Sequence, residues 1–123
     1  MIIEDEPEAA DLFSEMMRLS GFQVLKFLHG ASAMAAIATE KPSLVILDVM
    51  MPDLSGLDVL RHMRSAPESA RIPVIIVSAM SMPSDIKDGL DAGAAIYLTK
   101  PVTFLELKRA VERVLQGGAA QSV

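Results

Sequence analysis

The sequence alternates five short apolar runs with longer segments that carry polar residues, and this alternation constrains the fold more than any other feature. The runs at 44–47 and 74–77 are continuously apolar, as strands covered on both faces must be. Regular alternation of strands and helices predicts an α/β domain with a parallel sheet between two layers of helices. The predicted strands span residues 1–4, 22–27, 44–47, 74–77 and 95–98.

The segments between these runs carry helical signals. The first repeats apolar residues at the spacing of one helical face, beginning after Pro7 and stopping before Gly21. The first predicted helix follows Pro7, and the second and third span 32–40 and 56–65. The fourth follows Pro83, and the fifth spans 104–115. We expect the domain to occupy residues 1–115, because the Gly- and Ala-rich residues 116–123 are typical of a flexible tail or linker.

The polarity of the strands predicts their order in the sheet. Gln23 and Lys26 make the second strand more polar, and Tyr97 and Thr99 do the same near the fifth, so both strands are expected at edges. The third and fourth strands are apolar and are expected at the centre. This favours the order 2-1-3-4-5 over 3-2-1-4-5, which would place the third strand at an edge.

Composition limits the class of protein. The 123 residues suit one domain, and a hydrophobic content of 51% excludes intrinsic disorder of the whole chain. The net charge of −5 disfavours direct nucleic acid binding by this domain. We expect neither a membrane span nor a secretory signal, because the apolar stretches are short and the first residues include no basic region. The absence of cysteine is compatible with the cytoplasm, where we expect the domain to act.

Ionisable and polar side chains follow four of the predicted strands. They are Glu4 and Asp5 after the first strand, Asp48 after the third, Ser78 after the fourth and Lys100 after the fifth. Because the carboxyl ends of parallel strands meet at one edge of the sheet, we expect these side chains to converge. Three carboxylates in one place repel each other, and their hard oxygen atoms suit a Mg²⁺ ion.

With these motifs, the sequence resembles the response-regulator receiver domains of bacterial two-component signalling over about residues 1–115. The resemblance is carried by Ile-Ile-Glu-Asp-Glu-Pro, Leu-Asp-Val-Met-Met-Pro-Asp-Leu-Ser-Gly, Val-Ile-Ile-Val-Ser-Ala and Tyr-Leu-Thr-Lys-Pro. It implies a single doubly wound (βα)5 domain of the flavodoxin-like type. It also implies a signalling switch controlled by phosphorylation.

The resemblance implies a role for each of these residues. Asp48 would be the nucleophile that accepts a phosphoryl group from a phosphohistidine. The implied Mg²⁺ ligands are Glu4 through a water molecule, Asp5, Asp48 and the main-chain carbonyl of Met50. Lys100 would pair with phosphoryl oxygens, Ser78 would hydrogen-bond one of them, and Tyr97 would be the rotamer switch. A cis peptide bond is expected at Lys100-Pro101.

The implied partners are a histidine kinase or histidine phosphotransfer protein as donor, and a downstream output domain or protein. The domain would not be a conventional enzyme, because it would catalyse only its own phosphorylation and dephosphorylation. The donor is expected to contact the first helix and the loop after Lys100, since both border the acceptor. The candidate contact residues are Ala10, Met17, Val102 and Thr103.

The motifs leave two alternative functions open. A Mg²⁺-dependent phosphatase would also form an aspartyl phosphate, but such enzymes typically need an acid two residues after the nucleophile, where Met50 stands. A pseudo-receiver that only binds partners would not need the complete set of Asp5, Asp48, Ser78 and Lys100. Labelling by an acyl phosphate tests the pseudo-receiver, and turnover of a small phosphoester tests the phosphatase.

Overall fold

The computed structural model describes residues 1–121, with side chains through Gln116, and contains five strands that alternate with five helices. The strands are β1 (Ile2–Ile3), β2 (Lys26–Phe27), β3 (Val45–Leu47), β4 (Val74–Ser78) and β5 (Ile96–Thr99). The helices are α1 (Pro7–Leu19), α2 (Gly30–Glu40), α3 (Gly56–Ser65), α4 (Pro83–Asp91) and α5 (Phe104–Gln121). Within this described part of the chain, no helix is long and apolar enough to cross a membrane.

The strands form one parallel sheet in the order β2-β1-β3-β4-β5, which confirms the predicted α/β class and strand order. Ile46 of β3 pairs with Ile2 of β1 on one side and Ile75 of β4 on the other. This register aligns the carboxyl ends of the central strands. Residues that follow these strands therefore lie at the same edge of the sheet.

Helices cover both faces of the sheet. Successive strand residues point to opposite faces, so Ile46 and Ile75 pack with α1 and α5, whereas Leu47 and Ile76 pack with α2 and α3. The fully buried Val45–Leu47 and the fully buried Val74–Ser78 lie between these two layers. Their continuous apolar character in the sequence is a direct consequence of this double coverage.

The predicted boundaries differ most from the structure at β2 and α5. Strand β2 covers only Lys26–Phe27 of the predicted 22–27, because its partner β1 offers only two residues for pairing. Helix α5 extends from the predicted end at 115 to Gln121, over residues that include no proline and several good helix formers. Part of the predicted tail is therefore helical. Residues 122–123 lie outside the described part, and a linker role for 116–123 stays a prediction.

The side chain of Arg64 bridges two segments at the amino ends of the strands, opposite the edge of the sheet where the carboxyl ends meet. Its Nη1 donates to the carbonyls of Ile72 at 2.8 Å and Ala70 at 3.2 Å, and its Nη2 donates to the carbonyl of Gly93 at 3.0 Å. Gly93 has a φ of 113°, a conformation that suits glycine, and an added Cβ would lie 2.8 Å from Nε of Arg64. One guanidinium thus joins the segment before β4 to the turn before β5.

We expect Arg64→Lys to lower the free energy of unfolding by about 2 kcal/mol, because an ammonium group cannot reach the same set of carbonyls in two directions. Urea unfolding followed by circular dichroism measures the change. Arg61→Lys on the same helix is the control, since that side chain is 60% exposed and pairs with Asp58 at the surface. Equal stabilities of the two variants would contradict a bridging role for Arg64.

Candidate functional site

Four neighbouring strands each deliver a side chain to one edge of the sheet. Glu4 and Asp48 follow β1 and β3, Ser78 ends β4, and Lys100 follows β5. The side chains of Glu4, Asp48 and Ser78 are buried, and that of Lys100 is 19% exposed. The structure therefore brings together the residues that the sequence placed at strand ends.

Three carboxylates form the acidic part of this site. Oxygen atoms of Glu4, Asp5 and Asp48 all lie within 4.8 Å of one another, so that the three groups can ligate one metal ion. Asp5 is half-buried, while Glu4 and Asp48 are 1% and 5% exposed. Carboxylate oxygens of this kind suit Mg²⁺, which takes few protein ligands and keeps several water molecules. The donor set therefore fits the cation predicted from the sequence.

Lys100 contacts two of the carboxylates directly. Its Nζ lies 2.6 Å from Oε1 of Glu4 and 3.0 Å from Oδ2 of Asp48. Burial of the ammonium opposes its charge, but the hydrogen bonds with Glu4 and Asp48 outweigh burial and raise the pKa of Lys100. The ring of Phe13 lies beneath this group, with its centroid 6.0 Å from Nζ. The Lys100-Pro101 bond is cis, as the family resemblance implied.

The surroundings of Glu4 disfavour the charged form of its carboxyl group. Its burial raises its pKa from 4.5 to about 7, and Asp48 acts in the same direction. The hydrogen bond from Lys100 and the main-chain N–H of Glu6, which donates to Oε2 at 3.2 Å, oppose this rise. The proton affinity of Glu4 in the folded domain is therefore higher than that of an exposed glutamate, and its pKa falls near neutral pH.

The β3–α3 loop, residues 48–55, holds Asp48 in a defined geometry. The N–H of Met50 donates to Oδ1 of Asp48 at 3.1 Å, and the N–H of Gly56 donates to the carbonyl of Val49 at 2.8 Å. An added Cβ at Gly56 would lie 2.1 Å from the carbonyl oxygen of Asp48, so only glycine fits there. The side chain of Met50 is 57% exposed, while its main chain adjoins the carboxylate.

Ser78 and Tyr97 meet through the main chain of Met80. The N–H of Met80 donates to Oγ of Ser78 at 3.2 Å, and the hydroxyl of Tyr97 donates to the carbonyl of Met80 at 2.7 Å. The Tyr97 ring packs against Gly89 of α4, where an added Cβ would lie 2.7 Å from Cδ2 of the ring. Burial raises the pKa of the Tyr97 hydroxyl.

The prediction that Ala10 and Met17 contact the phosphoryl donor is wrong, because neither side chain is on the surface. Ala10 is 0% exposed and Met17 is 4% exposed, because the apolar face of α1 packs into the core. Thr103 is exposed and Val102 is half-buried against the core. Ala10 and Met17 lie on the buried face that the helical period of α1 defines. This period is visible in the sequence and was sufficient to exclude both residues as donor contacts.

Two contacts of the site were not predicted from the sequence. The direct contact between Lys100 and Glu4 joins residues that are 96 positions apart. The carboxylate of Asp53 accepts hydrogen bonds from the first two N–H groups of α2. An aspartate after a proline ordinarily indicates a turn, so the sequence carried no signal for a contact with another helix.

Comparisons with known proteins agree on one family. The sequence model of the response regulator receiver domain matches residues 1–112. Protein PilH of Pseudomonas aeruginosa is 36% identical over 95% of this chain and 97% of that protein. The probable transcriptional regulatory protein TcrX of Mycobacterium tuberculosis is 39% identical over 87% of this chain and 45% of that protein. The chain spans about half the length of several of the curated relatives it matches.

Solved structures agree with this assignment. The receiver domain of a signal transduction histidine kinase from Syntrophus aciditrophicus superposes with a TM-score of 0.86 and 32% identity, over 94% of this chain and 88% of that one. The receiver domain of sensor histidine kinase PA1611 from Pseudomonas aeruginosa gives a TM-score of 0.87 and 27% identity, over 94% of each chain. That second structure holds a magnesium ion in its active site cleft.

We expect the metal-free domain to lose stability as the pH rises from 5 to 7. The folded state keeps a proton on Glu4 up to a pKa of about 7, whereas the unfolded chain releases it near 4.5. The folded state therefore binds more protons in this interval, and the free energy of unfolding falls by roughly 2 kcal/mol. Glu4→Gln removes this contribution, so its stability relative to the wild type increases with pH.

Urea unfolding in EDTA at pH 5, 6 and 7 measures this difference. Glu68→Gln is the control, because Glu68 is exposed and distant in sequence from the strand ends. A constant difference between Glu4→Gln and the wild type across the three pH values would contradict the prediction.

Proposed function

The chain belongs to the response-regulator receiver family, and we propose that Asp48 is the residue through which it acts as a phosphorylation-dependent switch. Receiver domains of two-component response regulators are signalling switches and not conventional enzymes. The observation that carries the assignment is the position of Asp48 at the end of a central strand. There its buried carboxylate lies 3.0 Å from the ammonium of Lys100 and beside two further carboxylates.

The proposed reaction is a transfer between two side chains. A carboxylate oxygen of Asp48 attacks the phosphorus of a phosphohistidine, a P–O bond forms, and the P–N bond breaks. The electron pair of that bond leaves with the imidazole nitrogen, which takes up a proton from solvent. Aspartate is a weak nucleophile, so the site must act by positioning the donor and neutralising its charge. The contact between the ammonium of Lys100 and the carboxylate of Asp48 supports such a role for Lys100.

Three groups of this chain are proposed to hold Mg²⁺: the carboxylates of Asp5 and Asp48 and the main-chain carbonyl of Met50. Glu4 would contribute through a water molecule, since its own oxygens are engaged by Lys100 and the N–H of Glu6. When bound, the cation supplies charge neutralisation for the transferring group. The 4.8 Å grouping of the carboxylates and the magnesium ion in the PA1611 receiver domain support this assignment.

Ser78 and Tyr97 are proposed to carry the signal away from Asp48. Phosphorylation adds negative charge and acceptor oxygens beside the Ser78 hydroxyl, which can then donate to one of them. Ser78 and Tyr97 both bond to the main chain of Met80, so a movement of this residue affects both. This shared contact supports a coupling between the chemistry at Asp48 and the α4–β5 face.

The partners are proposed from the family. A histidine kinase or a histidine phosphotransfer protein would supply the phosphoryl group in the cytoplasm, and an output domain or protein would receive the signal. The donor would contact the exposed side of α1, which includes the half-exposed Leu12, and the loop that contains Thr103. PilH has nearly the length of this chain, whereas TcrX is about twice as long, so relatives of both lengths exist.

The phosphatase alternative is not favoured. An acid two residues after the nucleophile would be needed to protonate the leaving group and activate water. Met50 occupies that position, and its thioether cannot transfer a proton. The domain is therefore proposed to hold its phosphoryl group as a signal, with only its own phosphorylation and dephosphorylation as reactions.

We expect the domain to gain one phosphoryl group when it is incubated with a small acyl phosphate and Mg²⁺, as measured by intact mass. Asp48→Asn should take up no label, because its amide is not a nucleophile of this kind. Asp58→Asn, at an exposed acid of α3, is the control that should label as the wild type does. Full labelling of Asp48→Asn would contradict the assignment, and labelling independent of Mg²⁺ would contradict the role of the cation.

We also expect the phosphorylated state to be long-lived. Met50 and Met80 adjoin the carboxylate of Asp48 and the hydroxyl of Ser78 through their main chains, and their side chains cannot activate water. A polar group that positions water can supply ~10²-fold, so Met50→Asn and Met80→Glu should lose phosphate at least several-fold faster than the wild type.

The rate of label loss under identical Mg²⁺ tests this prediction. Met82→Glu is the matched control, because this methionine is 64% exposed and belongs to the start of α4. Equal lifetimes of the wild type and both polar variants would overturn the shielding role of Met50 and Met80.

A further inference from the structure

The carboxylate of Asp53 joins the β3–α3 loop to a different helix. Its Oδ1 accepts the N–H of Gly30 at 3.1 Å, and its Oδ2 accepts the N–H of Ala31 at 3.0 Å. Both donors belong to the first turn of α2, which is 23 residues earlier in the chain. These two hydrogen bonds hold the pKa of Asp53 below its usual range.

Helix α2 depends on this remote group for its N-terminal cap. The residue at its N-cap position, His29, makes no side-chain capping hydrogen bond. The first N–H groups of a helix have no partner within the helix, and they carry partial positive charge. Asp53 supplies both the acceptor atoms and the negative charge that this end of α2 requires, and α2 accordingly begins at Gly30, two residues before the predicted start at 32.

Apolar contacts hold the loop against the same turn. A Cβ added at Gly30 would lie 3.0 Å from Cβ of Leu54 and 3.3 Å from Cε of Met51. Glycine at this position therefore allows the loop to approach the helix closely. Met51, Asp53 and Leu54 together place one side of the loop on the start of α2.

The opposite end of the loop is held by the N-terminus of α3. The N–H of Gly56 donates to the carbonyl of Val49, and Ser55 caps α3 by accepting the N–H of Leu57 at 3.2 Å. Met50 lies between Val49, which Gly56 holds, and Met51, which approaches α2. Its N–H donates to the carboxylate of Asp48, so the chain is held on both sides of the group that contacts Asp48.

We propose that Asp53 is a positioning residue, which sets the Met50 main-chain carbonyl and the Asp48 carboxylate for Mg²⁺ by anchoring the β3–α3 loop to α2. This inference rests on the proposed function, because it assigns Asp53 a role in that site. Asp53 acts through the loop and does not contact the cation. The first turn of α2 becomes part of the structure that shapes the site.

Titration calorimetry of Mg²⁺ with the full chain tests the proposal. We expect Asp53→Ala to raise the Mg²⁺ dissociation constant about tenfold, the lower end of the loss seen when a group that orients a metal ligand is removed. Asp53→Asn should be affected less, because its amide oxygen can still accept one of the two N–H groups. Amide spectra should show changes at Gly30 and Ala31 that extend to Met50 in Asp53→Ala.

Ser69→Ala is the matched control for stability. Ser69 is buried before β4, and its hydroxyl donates to the carbonyl of Met63 at 2.8 Å, away from the β3–α3 loop. Loss of this hydrogen bond should lower the stability of the domain without changing the Mg²⁺ site. We expect this variant to bind Mg²⁺ as the wild type does and to leave the Met50 amide unchanged. Equal Mg²⁺ affinity of Asp53→Ala and the wild type would overturn the proposal, and so would an equal weakening in Ser69→Ala.

The outcome for Asp53 is distinguishable from the outcome for the proposed function. If the wild type takes no label at Asp48, the proposed function fails, whatever the order of Mg²⁺ affinities. If the wild type is labelled and binds Mg²⁺ no better than Asp53→Ala, the proposed function stands and the positioning role of Asp53 is wrong.

Discussion

Lys100 shares one ammonium group between two buried carboxylates, and much of the site depends on this shared contact. Glu4, Asp5 and Asp48 carry three negative charges when ionised, and Lys100 returns one positive charge. The excess of negative charge is held in a place where water screens it poorly, which costs free energy. A proton on Glu4 relieves part of this repulsion, and a divalent cation relieves more. Added positive charge would therefore lower the free energy of this cluster.

The parallel topology makes this concentration of charge possible. Every strand of the sheet runs in the same direction, so the carboxyl end of each contributes to one edge. The opposite edge carries different interactions, among them the guanidinium of Arg64 with its carbonyl partners. The fold thus separates an edge where one guanidinium joins two segments through hydrogen bonds from an edge where like charges are held close together.

The sequence was sufficient to predict those features that follow from local pattern. Continuous apolar runs identified β3 and β4 as central strands, and the polar residues at strand ends identified the acidic cluster. The length of β2 was not predictable in this way, because it is set by the two residues that β1 offers as a partner. The contacts of Asp53 and Arg64 could not be predicted from the sequence either, because both depend on which carbonyl or N–H group the tertiary structure brings near. The prediction that Ala10 and Met17 contact the donor was wrong because it rested on their proximity to the site and not on the direction in which each side chain points.

Gly89 allows the side chain of Tyr97 to pack directly against the backbone of α4. The ring fills a depression on the inner side of α4 that exists only because this position lacks a Cβ. If the ring departed, it would leave an unfilled volume in a region that is otherwise packed, and such a void is costly until neighbouring atoms collapse into it. The backbone of α4 at Gly89 and the side chain of Ile76 both adjoin this volume. A glycine in the last turn of α4, which is locally unfavourable, would thereby couple the rotation proposed for Tyr97 to the position of the helix.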